Sequence, residues 1–240
     1  PRWHPRRPSC RGPRATGAAG ATGPTEPAVL PVATPRRLAA ATAALAVAEP
    51  CFAPVIAAAG PCRLTAGRRA HPTHFASLAS SIVYQQLSGK AAATIYGRFA
   101  ALFPDGIPSA ERLPRLRDTA LRHAGLSAAK AAAVRDLAAH VRAGALPLDR
   151  IETLDDQAVI DALVEVRGIG RWTAQMFLMF RIGRLDVWPE LDLGVQKGIQ
   201  RLYGLRRLPT AKEMSRHGER FAPHRSVAAW YCWRALDLEA

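Results

Sequence analysis

Asp192 is the side chain whose surroundings in the sequence best fit catalysis. It directly precedes LGVQKGIQRLYG, a run with helical apolar periodicity, so its carboxylate lies at a predicted helix N-terminus that favours the ionised form. A carboxylate in this position can stabilise positive charge on a substrate and can orient or deprotonate a water molecule. An aspartate there is more often only a helix N-cap, and Asp186 and Glu190 are nearby competitors. Asp192 is therefore a candidate that needs support from the rest of the sequence.

A pattern typical of a helical hairpin precedes Asp192. Residues 163–166 are mostly apolar, Gly168 and Gly170 surround one isoleucine, and residues 172–180 begin another apolar run. Two glycines so placed suit a turn that needs unusual dihedral angles and approaches another molecule closely. Backbone N–H groups at the start of the second helix then point outward together and form an anion site. A lone turn of this kind is usually only a connection, so its weight comes from Asp192 downstream.

Five segments in a fixed order extend this pattern over most of the chain. They are SIVYQQLSGKAAATIYGRF (81–99), GLSAAKAAAVRDLA (125–138), VRGIGRWTAQMFLMF (166–180), DVWPELDLGVQKG (186–198) and PHRSVAAWYCWRALD (223–237). Together they resemble the helix-hairpin-helix DNA glycosylases, and within them the 3-methyladenine DNA glycosylase II branch. GIGRWTA and the DVWPELD stretch that ends at Asp192 are specific for this family, whereas the alanine-rich segments are weak evidence individually. The resemblance implies excision of alkylated purines such as 3-methyladenine and 7-methylguanine, which initiates base excision repair.

The resemblance also implies a mechanism. Cleavage of an N-glycosidic bond builds positive charge on the deoxyribose, and alignment with the family gives Asp192 the catalytic place beside that sugar and Asp186 a supporting one. Relatives that also cut the DNA backbone carry a lysine in the hairpin that attacks the sugar. Here Trp172 takes that position, and the four lysines are elsewhere, at 90, 130, 197 and 212. A water nucleophile and a monofunctional enzyme without lyase activity are therefore expected.

The substrate prediction depends on aromatic residues. A flipped base is held between flat side chains, and an indole face attracts the cationic ring of an alkylated purine. By resemblance the base pocket contains Trp172, Met176 and Trp233, with Met176 standing where some relatives have an aromatic residue. Nearby alternatives to Trp233 are Trp230 and Tyr231. Any one of these tryptophans, viewed alone, is more often part of a helical core.

Two further segments are expected to contact double-stranded DNA. Phosphate contacts are expected from four hairpin residues, Gly168, Gly170, Arg171 and Thr173. In YQQLSGKAA (84–92), Gln86 and Leu87 are the candidates for the side chain that fills the gap left by the flipped nucleotide. A buried Leu87 with Gln86 as a helix cap is the alternative.

The apolar periodicity and its breaks predict an all-α fold from residue 36 to residue 240. We expect a two-lobed helical bundle with the helix-hairpin-helix motif and an active-site cleft between the lobes. Residues 1–35 are rich in Pro, Gly, Ala and Arg without an apolar period, so we expect a disordered arm and no signal peptide. The arm is either a basic DNA-binding extension or the product of a start site placed too far upstream, and we prefer the second interpretation.

The net charge and the cysteine content limit which binding partners and cofactors are expected. The net charge is +14, and seven arginines and one glutamate up to Arg37 account for +6 of it, leaving +8 for the rest. That excess suits a polyanion, although a GC-rich genome would give a similar composition. The cysteines, at 10, 51, 62 and 232, are scattered, so we expect neither a structural metal nor an iron–sulfur cluster. The hairpin backbone is the place for a monovalent cation, as the resemblance implies.

Two other functions remain open. The chain could excise another lesion, such as a deaminated or mismatched base, or it could be a non-catalytic helix-hairpin-helix DNA-binding protein. Asp192 and Trp172 argue against a pure binder, which needs neither. We further expect a monomer without membrane association, in the cytoplasm of a bacterium at the nucleoid.

Overall fold

The computed structural model describes residues 32–238, and that part of the chain is all-α, as predicted. Its eleven α-helices are α1 Pro35–Ala48, α2 Ala53–Ala59, α3 His74–Tyr84, α4 Gly89–Ala100, α5 Asp118–His123, α6 Ala128–Arg142, α7 Asp156–Val164, α8 Arg171–Met176, α9 Leu193–Leu202, α10 Ala211–Phe221 and α11 Arg225–Asp237. A π-helix, Phe177–Ile182, continues α8. Residues 1–31 of the predicted arm lie outside the described residues. Its last two residues, Thr34 and Pro35, are the N-cap and first residue of α1.

The described helices belong to two compact units. Residues 32–64 and 184–238 form the first, and Thr65–Gly183 form the second. The second unit is continuous in sequence and contains α3 to α8, whereas the first is built from both flanking segments. Two helical lobes are therefore present, as the sequence predicts.

Helix–helix and aromatic packing holds the first unit together. Phe52 and Trp188 each contact the ring of Phe221 edge-on, with centroid separations of 5.5 and 5.2 Å. At Gly198 the helices α9 and α11 lie so close that an added Cβ would come within 2.5 Å of Cys232. Only glycine permits this approach, and it brings the N-terminal end of α9 against α11.

In the second unit, α6 packs on α3, and α7 packs on α8. Arg181 of the π-helix holds the segment that leads into α3: its Nη1 donates to the carbonyls of Arg68 and His71, both at 2.6 Å. Its Nε donates to Nδ1 of His74 at 3.1 Å, so that ring is neutral and carries its proton on Nε2, which lies 3.4 Å from Glu152. Burial, and then the charge of Arg181, lower the pKa of His74 below 6.5.

Helix starts follow the capping chemistry of the sequence. The side chains of Thr73, Ser127 and Asp155 accept backbone N–H bonds at the starts of α3, α6 and α7.

Within the described residues, no single helix is long and apolar enough to span a bilayer. Only α1 and the segment Pro50–Ala59 taken together reach that length and composition, and the chain bends by 116° between them.

Candidate active site

The hairpin predicted around Gly168 is present between α7 and α8. Val166 and Ile169 are buried beneath the turn, whereas Gly168 and Gly170 are exposed. Gly168 has φ +81°, a left-handed conformation that explains its glycine, and Gly170 is the N-cap of α8. No heavy atom lies within 4 Å of a Cβ built on Gly170, so this surface is open to close approach.

The start of α8 carries the remaining predicted phosphate contacts. Arg171 is exposed in its first turn, whereas the side chain of Thr173 is buried at 7% exposure. Thr173 could therefore contact a phosphate through its backbone N–H rather than its hydroxyl group.

A cavity of about 500 Å³ adjoins the hairpin in the second unit. The lining residues are Ser81, Tyr84, Gln85, Gln86, Trp172, Thr173 and Met176. The structure thus brings together Trp172 and Met176, two of the three residues predicted for the base pocket, and the exposed side chains of Trp172 and Tyr84 belong to the same cavity. These seven residues include no Asp, Glu, Lys or Arg, so a bound ring would meet aromatic, thioether, hydroxyl and amide groups.

The turn between α3 and α4, which we name the extrusion turn (residues 85–88), carries the predicted wedge. Gln86 has φ +57°, a conformation that non-glycine residues rarely adopt. Gln86 and Leu87 are both exposed, and 38% of the Leu87 side chain is accessible. Leu87 is therefore not the buried residue of the alternative interpretation. The side-chain amide of Gln85 donates to the Gly168 carbonyl at 2.8 Å and so joins this turn to the hairpin.

Asp192 lies on the first unit as the N-cap of α9. Its Oδ1 accepts the backbone N–H of Val195 at 2.8 Å and the indole N–H of Trp233 at 2.9 Å. The Gly194 position lies under the indole: an added Cβ there would be 2.7 Å from Trp233 Cδ1 and 3.1 Å from Asp192 Oδ1. Leu191, 64% exposed, directly precedes the carboxylate. These contacts hold one carboxylate oxygen in a fixed position.

The competing carboxylate at 186 has a different environment. Asp186 accepts the backbone N–H of Arg225 at 3.3 Å and lies 3.4 Å from its guanidinium. Burial raises the pKa of Asp186, and the nearby charge of Arg225 opposes that effect. Asp186 thus ties the segment before α9 to the start of α11, which fits the supporting role expected for it.

Two results at the site were not predicted from sequence. Trp233 contacts Asp192 on the first unit, whereas the cavity containing Trp172 and Met176 belongs to the second. Tyr84 lines that cavity although it was not among the candidates; its place directly before the two glutamines of YQQLSGKAA was the available signal.

The described residues also bear on cofactor chemistry. Burial raises the pKa of Cys62 to about 11 and that of Cys232 well above 9.0, so both favour the thiol form. Among residues 32–238, no group of three or more His, Cys, Asp or Glu side chains is placed to hold a metal ion. In the hairpin, the Val166 carbonyl accepts from Ile169 N–H at 3.0 Å and the Gly168 carbonyl accepts from Gln85. A monovalent cation bound at the hairpin would share the Val166 and Gly168 carbonyl oxygens with the N–H groups that already donate to them.

Comparison with known proteins gives consistent matches. Residues 79–224 match the family described as HhH-GPD superfamily base excision DNA repair protein. DNA-3-methyladenine glycosylase 1 of Schizosaccharomyces pombe is 34% identical over 166 residues, which are 68% of this chain and 73% of that protein. The structure of the 3-methyladenine DNA glycosylase of S. pombe in complex with abasic DNA has a TM-score of 0.70 at 30% identity, covering 81% of this chain and 95% of that chain. A DNA-3-methyladenine glycosidase from Bacillus halodurans has a TM-score of 0.73 at 39% identity, with 81% and 88% covered.

Proposed function

We propose that this chain, which belongs to the HhH-GPD superfamily of base excision DNA repair proteins, is a DNA N-glycosylase that excises alkylated purines from double-stranded DNA. Its membership confirms the family predicted from the five sequence segments. Relatives named DNA-3-methyladenine glycosylase support the reaction and the substrate class. The observation that carries the proposal is the double hydrogen bonding of Asp192, which holds an ionisable oxygen in place at the N-terminus of α9.

The cavity of the second unit would receive the flipped base. Alkylation at a ring nitrogen gives 3-methyladenine and 7-methylguanine nucleotides a positive charge, and the face of Trp172 attracts such a ring. The hydroxyl group of Tyr84 and the amide of Gln86 are available to hydrogen-bond its edge, whereas Ser81, whose hydroxyl donates to the Ser77 carbonyl at 3.1 Å, can only accept. A pocket without acidic or basic side chains suits recognition of the ring by stacking.

Asp192 would act on the deoxyribose of the damaged nucleotide. As the bond from C1′ to the base nitrogen breaks, its electron pair leaves with the cationic base, which becomes neutral. Positive charge then develops at C1′ and is stabilised by the carboxylate. Water adds to C1′ and gives a proton to Asp192, so the products are a free purine and an abasic site. Because the leaving base is already cationic, no general acid is needed.

The absence of an attacking amine at position 172 supports a monofunctional reaction. Trp172 stands where lyase-active relatives have lysine. In this unit Lys130 lies on α6 with its Nζ bonded to the carbonyls of Val83 at 2.6 Å and Gln85 at 2.9 Å, which keeps it from acting as a nucleophile. The abasic product would therefore remain uncut.

The test is release of bases from methylated duplex DNA by the wild type and Asp192→Asn. We expect the wild type to release 3-methyladenine or 7-methylguanine and the variant to lose about a hundredfold or more in single-turnover rate, because the charge that stabilises the transition state is gone. Asp105→Asn, which removes an exposed carboxylate on the second unit, is the matched control and should retain the wild-type rate.

Other outcomes decide between the remaining functions. Release of a deaminated or mismatched base instead would replace the alkyl-purine assignment. Salt-sensitive DNA binding without release of any base would indicate a binding protein. Strand scission without added alkali would contradict the monofunctional mechanism.

A further inference from the structure

One face of α6 contacts both turns that the proposed function assigns to DNA. Lys130, Ala133 and Asp136 are three residues apart in sequence and lie along one side of the helix. We call them the α6 brace. Lys130 contacts the extrusion turn, and the other two contact the hairpin turn. None of the three is among the residues that line the base cavity.

Lys130 caps the end of α3. Its ammonium donates to the carbonyls of Val83 and Gln85, where the helix leaves carbonyl groups unsatisfied and where its dipole is negative. Partial burial lowers the pKa of Lys130, as expected for an ammonium withdrawn from water. Lysine is rare in this chain, with four against 29 arginines, and its compact charge suits two converging carbonyls.

Ala133 and Asp136 contact the hairpin turn. Oδ2 of Asp136 accepts the backbone N–H of Arg167 at 2.7 Å. A Cβ added to Gly168 would lie 3.3 Å from Cβ of Ala133, so the turn rests directly on the surface of α6. The carboxylate thus takes the first N–H of the turn and fixes the direction of the amides that follow.

Gln85 connects the two turns directly. Its carbonyl accepts from Lys130, while its side-chain amide donates to the Gly168 carbonyl at 2.8 Å. The next residue, Gln86, has φ +57°, a conformation that persists only where its surroundings enforce it. The extrusion turn is therefore held from α6 on one side and from the hairpin on the other.

We propose that the α6 brace consists of positioning residues that lock the extrusion turn to the hairpin turn, so that gripping the phosphate and extruding the nucleotide are coupled. The inference rests on the proposed function, because only there do both turns meet DNA. Without the brace the hairpin still binds the duplex, but Gln86 and Leu87 lose their fixed position and base flipping weakens.

The experiment uses the full chain and duplexes with 2-aminopurine next to an abasic-site analogue, since fluorescence rises when the probe base is unstacked. Lys130→Met keeps the length of the side chain and removes the donors. We expect it to lower the fluorescence change and the single-turnover release of 7-methylguanine about tenfold each. The Kd for undamaged duplex should stay within about twofold of wild type.

Paired variants separate positioning from folding. Asp136→Asn retains an acceptor for Arg167 and should behave like wild type, whereas Asp136→Leu should reproduce the Lys130→Met defect. Lys212→Met, which removes an exposed charge from α10 on the first unit, controls for charge loss. Tm by circular dichroism identifies any variant that is simply unfolded. The double variant Gln85→Leu with Lys130→Met should be no worse than the poorer single variant, because the turn is locked only while both contacts are made and the loss of either one already frees it.

Three results would overturn the brace: wild-type flipping by a folded Lys130→Met, additive losses in the double variant, or a loss of undamaged-duplex binding as large as the loss of flipping. These readouts do not depend on catalysis. If the wild type released no methylated purine, the proposed function would fail while the 2-aminopurine measurement still tested the brace.

Discussion

At Asp192 one carboxylate oxygen has two structural partners, and both favour the same chemistry. The Val195 N–H makes Asp192 the N-cap of α9, and the Trp233 indole N–H approaches from α11. Capping and catalysis are therefore compatible roles, since the backbone N–H at the start of α9 and the indole N–H together hold the carboxylate oxygen in a fixed position. Gly194 is part of this arrangement because any larger residue would push the indole away.

Trp233→Phe should reduce catalysis more than binding. The change keeps a ring in place and removes the Nε1–H that holds Asp192. A hydrogen bond to a charged group contributes about 1.5–3 kcal/mol, which corresponds to a rate loss of roughly 10- to 100-fold. Single-turnover release of 7-methylguanine and the Kd for abasic duplex measure the two effects.

Trp230→Phe is the matched control on the same helix, since that ring packs against Tyr231 and Arg234 and contacts neither Val195 nor Asp192 through a described hydrogen bond. It should keep the wild-type rate. An equal rate in Trp233→Phe and wild type would show that the indole N–H does not position the carboxylate.

The sequence predicts single residues well where a local pattern expresses their role. The helical run after Asp192 predicts its place at a helix N-terminus, and GIGRWTA predicts that Trp172 and Met176, four residues apart, share a face. It does not predict the Trp233 contact, which joins residues 41 apart. That contact depends on how α9 and α11 pack, and periodicity within either helix carries no information about it.

At the scale of elements, the approach of α9 to α11 depends on one missing side chain. Gly198 has Cβ, C and O of Cys232 within 2.7 Å of the position a Cβ would take. Two of those atoms are backbone, so the neighbour cannot yield by changing rotamer.

Gly198→Ala should destabilise the protein by about 1–3 kcal/mol, because the added methyl group forces the two helices apart. Gly97→Ala is the control: Gly97 is exposed in α4, with nothing within 4 Å of an added Cβ. It should gain up to about 1 kcal/mol from helix propensity alone. Urea denaturation of the two variants gives both values, and equal stability would contradict the close packing.

His74, the first residue of α3, should make stability sensitive to acid. The folded pKa of His74 lies below 6.5, so the unfolded chain binds its proton more readily. Its contribution is fully present above pH 6.5 and is lost as the pH falls from there through the folded pKa. We expect the free energy of unfolding to fall between pH 7 and pH 5, with a shallower fall in His74→Gln. Identical slopes in His74→Gln and the wild type would refute the assignment.

Element boundaries show where sequence patterns stop being informative. The apolar periodicity and its breaks predict helices over 127–143, 192–203 and 226–237, and α6, α9 and α11 confirm them almost to the residue. The same pattern predicts a single helix over 171–182, which is wrong in its second half, a π-helix closed by the Gly183 N–H to the Leu178 carbonyl at 2.8 Å. Arg181, bonded to carbonyls more than a hundred residues away in sequence, belongs to that half. Such distant contacts leave no local signal.

At the scale of the whole molecule, a net charge of +14 predicts strongly salt-dependent DNA binding. If about six to ten phosphates are contacted, affinity for undamaged duplex should fall by roughly 10³- to 10⁵-fold between about 50 and 200 mM salt. Single-turnover base release at saturating enzyme should change little, because the chemistry at Asp192 is local. Binding that is insensitive to salt would contradict a phosphate-dominated interface.

A chain that starts at Val32 tests whether residues 1–31 contact DNA. It loses five arginines and one glutamate and retains a charge of +10. Base release should be unchanged, since Asp192 and the cavity residues are all retained. A smaller salt slope would identify residues 1–31 as a DNA contact, and an unchanged slope would exclude that contact.

The division of the chain into a continuous unit and a discontinuous one has a consequence for how the protein is made. During synthesis Thr65–Gly183 can fold as soon as it has emerged, whereas the other unit must wait for residues 184–238. Trp233, one hydrogen-bond partner of Asp192, lies in α11. A nascent chain thus completes the unit that contains the hairpin before α11 is made, and Asp192 acquires the indole N–H of Trp233 only afterwards.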